Sequence, residues 1–141
     1  MTEPPDVTVQ PTRPADVDTG FWLWLAALPL MTTGYVVSLL ASPEITATVV
    51  TYPIVGLTAV VMVVVVATFL MLMRSGYRWA RTLLTGGGIA SVVYTVSGLS
   101  NADARPAVAV TLAVTGIIGS VLIAAGTFLL HRTDAQKYFI R

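Results

Sequence analysis

The sequence predicts an all-α fold: a four-helix transmembrane bundle with both termini on the cytoplasmic side and a disordered N-terminal tail. Three observations predict it. The residues are 55% hydrophobic, with a mean hydropathy of +0.81. Only 11% are charged, less than half the share of about 25% found in soluble domains. Those charges are gathered into short segments that separate long apolar runs. A chain of this kind has too little polar surface to stay wet, and lipid is its natural solvent. Its 141 residues suffice for several spans but leave no room for an added soluble domain.

Residues 1–19 carry Pro4, Pro5, Pro11 and Pro14 among Glu3, Asp6, Asp16 and Asp18, with no apolar periodicity. They read as a disordered cytoplasmic tail. A signal peptide would need a basic start followed at once by an apolar core, and neither is present.

The transmembrane domain is expected over residues 20–131. Span one covers about 21–41. Phe21, Trp22 and Trp24 open it, and such rings favour the headgroup level. Pro29 removes a backbone donor, frees the Leu25 carbonyl and should kink the helix. Thr32 and Thr33 are placed to take up that unmet bonding. Ser42-Pro43-Glu44 reads as a helix start, with a serine cap, an early proline and a carboxylate at the positive end of the dipole.

Span two covers about 45–73. It exceeds the roughly 20 residues that a bilayer needs, so it should tilt, kink near Pro53 or project outward. The run 60–66 is apolar on every face and should meet lipid broadly. Gly76 suits a C-terminal cap. Tyr77 and Trp79 read as interfacial anchors.

Span three covers about 83–99 and is the least apolar. In lipid, small and hydroxyl residues mark helix contacts, because they let backbones approach closely. Gly86, Gly87, Gly88 and Ser91 are therefore the expected packing residues of span three, which becomes the candidate for the bundle centre. Span four covers about 107–130, and its expected packing face is Gly116, Ser120 and Ala124. Residues 132–141 form a short cytoplasmic tail. There Ala135, Tyr138 and Phe139 share one face at helical spacing, and Asp134 could approach Arg78 or Arg81.

Orientation follows from the basic residues. Arg74, Arg78 and Arg81 lie between spans two and three. Arg13, Arg132, Lys137 and Arg141 lie in the tails, and Arg105 stands alone on the other side. An even number of spans puts all but Arg105 on one side, expected to be the cytoplasmic face of the plasma membrane. Arg74, Arg78 and Arg81, with Trp79 beside them, read either as a topology anchor or as a contact for an anionic lipid headgroup.

No catalytic constellation is visible. Transport and catalysis within a bilayer usually place an ionisable side chain inside a span, and the four expected spans hold none. Proton-coupled antiport is disfavoured for that reason. The chain has no cysteine and one histidine, His131, so a metal cluster is not expected. The triple glycine 86–88 lacks the Lys-Ser or Lys-Thr of a phosphate loop. Net charge is +1, which gives no case for nucleic acid. No cofactor is implied.

The segment 16–24 (Asp-Val-Asp-Thr-Gly-Phe-Trp-Leu-Trp), the loop 76–81 (Gly-Tyr-Arg-Trp-Ala-Arg) and the terminal Tyr138-Phe139 give the chain a resemblance. It resembles a family of small, uncharacterised four-span integral membrane proteins of actinobacteria. The resemblance implies a multi-pass plasma-membrane location and carries no catalytic residues. The expected function is a non-enzymatic scaffold or accessory subunit of a larger membrane assembly. The alternative is a small homo-oligomeric facilitator or exporter of apolar compounds. The partners implied are the bilayer itself and either a larger membrane protein or further copies of the chain.

Overall fold

The computed structural model describes residues 13–43, 49–100 and 105–139, without the side chains of Asp134 and Tyr138. The expected tail over residues 1–12, the helix start at Glu44 and the contacts of Asp134 and Tyr138 lie outside them. Five helices and no strand occur among the described residues: α1 (Ala15–Ala41), α2 (Thr51–Arg74), α3 (Arg78–Leu99), α4 (Pro106–Leu130) and α5 (Thr133–Tyr138). The first four are each long and apolar enough to cross a membrane.

α1 begins inside the segment expected to be a disordered tail. Pro14 precedes it, and Asp16 and Asp18 stand in its first turn. Proline is tolerated at a helix entrance, and carboxylates suit the positive end of the dipole. Val17 in that turn is fully buried, so tertiary packing holds a segment whose composition alone favours disorder. α1 runs continuously through Pro29. Thr32 and Thr33 donate to the carbonyls of Leu28 and Pro29 rather than to Leu25. Each reaches one turn back, the usual geometry of a helical threonine.

α2 starts at Thr51, which puts Pro53 in its first turn. The N–H that proline lacks is one of the four that have no partner at a helix start, so Pro53 gives no interior kink, one of the three accommodations expected of span two. Most of the run 60–66 is exposed, and the remainder is half-buried. Ser42 caps the end of α1 rather than opening α2; its N–H donates to Leu39 and its hydroxyl to Ser38.

The turn from α2 to α3 is closed by Gly76, whose φ is 91°. Its N–H donates to the Met73 carbonyl at 2.9 Å, and the N–H of Tyr77 to the Leu72 carbonyl at 3.2 Å. This is the Schellman pattern, which needs a residue free to adopt positive φ.

α1 and α4 form the most extensive helix pair. Their seam is built on glycine. A Cβ at Gly126 would lie 2.6 Å from Trp24 Cδ1, and one at Gly119 would lie 2.7 Å from Met31 Sδ. On α1, Gly20 receives Leu130 and Gly34 receives Thr115. Large side chains of one helix thus enter gaps on the other.

α3 is not the bundle centre. Ala80, Leu84 and Gly88 are its buried residues, all in its first half. Gly86 and Gly87 would meet nothing within 4 Å if given a Cβ, and Ser91 is exposed. On α4, Gly116 packs against Thr95, Ser120 is half-buried and Ala124 is exposed. The buried residues of α4 are Thr115, Gly116, Gly119, Ile123, Gly126 and Leu130, so of the expected face only Gly116 is buried. The physical reason is steric. Trp24 and Met31 are the large knobs of α1, and only the Gly119–Gly126 face of α4 has gaps to take them.

Candidate functional site

Two features stand apart from ordinary packing: a clasp at the arginine-rich end and a long cleft toward the other.

The clasp begins with the acidic first turn of α1. Arg74 donates to Asp18 at 2.9 Å and lies over the Phe21 ring, 4.8 Å from its centroid. Arg132 approaches Asp16 at 3.4 Å. Arg81 donates to the carbonyl of Leu130 at 3.3 Å. That carbonyl belongs to the last residue of α4, where backbone acceptors lack helical partners and a cation suits the dipole. Phe139 covers the same guanidinium, 4.9 Å from ring centroid to Cζ. Ala135 and Phe139 are buried, so the C-terminal helix docks on its own bundle.

The predicted lipid-contact set is therefore split. Arg74 and Arg81 are engaged within the fold. Arg78 and Trp79 are exposed, and Trp79 meets Phe69 edge-to-face at 5.7 Å. Among the described residues, no ion pair or hydrogen bond holds Arg78. Sequence reasoning missed the pairing with Asp16 and Asp18. The signal was present, since an even number of spans places those carboxylates at the arginine-rich end.

The cleft has a volume of about 650 Å³ and is walled by all four long helices. That size is in the range of small-molecule sites. Its floor is the buried core: Trp24, Ala27 and Ile123 line it and belong to the central apolar cluster. The Trp24 ring spans the bundle there, filling the gaps at Gly126 on α4 and Gly88 on α3. The other limit is the far helix ends, at Ser42, Pro43 and Leu99. From Trp24 to Ser42 the cleft follows α1 for about 27 Å at the helical rise. No acidic, basic or histidine side chain lines it among the described residues.

Its polar groups are hydroxyls. Thr32, Ser42 and Thr115 donate to carbonyls of their own helices, which leaves their oxygens as acceptors. Tyr35, Ser38, Ser91 and Tyr94 also line the cleft, and no described hydrogen bond commits their protons. Thr115 packs on Gly34 and the adjacent Gly116 on Thr95. The backbones of Tyr35 and Tyr94 therefore stand at one level of the bundle. The structure places both tyrosines on the cleft wall.

Comparisons with protein-family models, curated proteins and solved structures find no match for this chain. The functional reading rests on the site.

Proposed function

We propose that this chain is a non-catalytic, multi-pass protein of the plasma membrane that holds an uncharged lipophilic molecule in the cleft between its helices. Both tails lie on the cytoplasmic side in this reading, on the strength of the basic residues gathered there. The observation that carries the proposal is a cleft of about 650 Å³ with no charged side chain on its wall among the described residues. A largely apolar recess with a few convergent polar groups is the usual form of a ligand site. The facilitator expectation is narrowed by the floor. Trp24 closes the cleft on its arginine-rich side, so the geometry supports capture from one side, and passage would require the ring to move.

Purification in mild detergent followed by mass spectrometry of co-extracted small molecules tests the reading. Wild type should retain a lipophilic species, and Ser38→Trp, which puts an indole across the cleft, should retain much less. Equal retention by both would overturn it.

A second reading, as scaffold or accessory subunit of a larger membrane assembly, is supported by the exposed Gly86, Gly87 and Ser91 on α3. Small residues of this kind permit close helix contact. Cross-linking in native membrane with a probe at Ser91 tests it. A stoichiometric adduct is expected, and its absence would remove the reading.

A further inference from the structure

We propose that the occupant of the cleft is a neutral, chain-like amphiphile whose head accepts hydrogen bonds: an ester, carbonyl or ether lipid that carries no phosphate or carboxylate. This rests on the reading of the cleft as a binding site.

Shape is the first argument. A volume of about 650 Å³ runs along roughly 27 Å of helix. An elongated recess of this kind suits extended acyl chains. The second argument is charge. No described wall residue is a cation that could meet a phosphate or carboxylate, and none is a carboxylate that could meet an ammonium. An unpaired ion at that depth is strongly disfavoured. Arg105, at the far end, donates to the Ala41 carbonyl at the end of α1.

The third argument is the direction of the free hydrogen bonds. The protons of Thr32, Ser42 and Thr115 are used within their own helices. Tyr35, Tyr94, Ser38 and Ser91 can still donate. The two tyrosines share a level about 11 residues above Trp24, or roughly 16 Å along α1. Below that level the wall is mostly apolar, with Leu28, Met31, Met62, Val66 and Ile123. A chain lying toward Trp24 with an acceptor oxygen at the tyrosines satisfies both zones.

Trp24 makes the test direct. It is 6% exposed and sits on the floor, whereas Trp22 at 56% and Trp79 at 49% would respond to any lipid. In a Trp22→Phe/Trp79→Phe background, Trp24 is the sole tryptophan. The protein is reconstituted in phosphatidylcholine vesicles containing either a diacylglycerol brominated near its chain ends or a phosphatidylglycerol with the same chains. The diacylglycerol should quench Trp24 about fivefold more steeply, a preference of the size one hydrogen bond supplies. Tyr94→Phe should reduce that preference; the side chain is 62% exposed, so the fold does not depend on it. Equal quenching by both lipids, abolished by Ser38→Phe, which blocks the cleft without adding a tryptophan, would overturn the neutral-head assignment while leaving the cleft as a chain-binding site. No quenching by either would overturn both.

Discussion

Arg74 and Asp18 meet at 2.9 Å across the arginine-rich end of the bundle. The contact joins the last turn of α2 to the first turn of α1, and it puts the guanidinium over the Phe21 ring. Both side chains are partly solvated, at 33% and 41% exposure. A double-mutant cycle with Asp18→Asn and Arg74→Gln should give a coupling of about 1 kcal/mol or less in detergent. High salt should reduce it. A coupling that salt does not change would argue against an ion pair.

Gly126 and Gly87 should behave oppositely. The first faces Trp24 Cδ1 at 2.6 Å from an added Cβ, and the second faces open space. Gly126→Leu should lower the melting temperature sharply, through overpacking of roughly 1–3 kcal/mol or more. Gly87→Leu should be nearly silent in the isolated protein. Thermal unfolding of both variants in one detergent checks the seam, and equal effects would remove it.

Phe139 anchors the C-terminal helix. It is 2% exposed and covers Arg81. Phe139→Ala should cost roughly 3 kcal/mol, the range for a buried phenylalanine. Deletion of residues 138–141 should likewise lower the melting temperature of the purified chain. An unchanged melting temperature would mean that the tail does not hold the bundle together.

Arg78 is the arginine left to meet a headgroup. Arg78→Ala should leave stability within about 0.5 kcal/mol of wild type, as surface changes usually do. It should weaken binding of anionic lipid by the detergent-extracted protein, read by analysis of co-purified lipid at low salt. If Arg74→Ala weakened that binding as much while leaving stability intact, the split between the arginines would be wrong.

Orientation can be read by reporter fusions. Fusions after Ser42, Ser75, Ala102 and Arg141 should report outside, inside, outside and inside. An outside signal at Ser75 would invert the topology.

Much of the architecture was legible in the residues. The end of span two, the glycine cap at Gly76 and the limits of α4 follow from local chemistry: apolar length, a need for positive φ, and proline at a helix start. The beginning of α1 was not legible. Residues 15–19 look disordered by composition, and they are helical because Val17 is buried and Asp16 and Asp18 find arginines distant in sequence. Whether span two kinks at Pro53, tilts or projects outward stayed open for a related reason: the effect of the proline depends on whether it falls in the first turn or the interior, and the start of α2 has no strong sequence mark.

The sequence by itself determined that four apolar helices exist, where all four end and that their charged ends gather on one side. These are local properties, set by hydropathy, length and capping. Only the tertiary structure decided that α1 pairs with α4, that the glycine seam of α4 runs through Gly119 and Gly126, and that Tyr35 and Tyr94 share one cleft. Helices that are apolar on every face carry no contrast between lipid and protein sides. Small residues mark where contact is permitted, but which face is used depends on the knobs another helix brings. Trp24 and Met31 make that choice here, and the cleft runs from Trp24 toward the far helix ends.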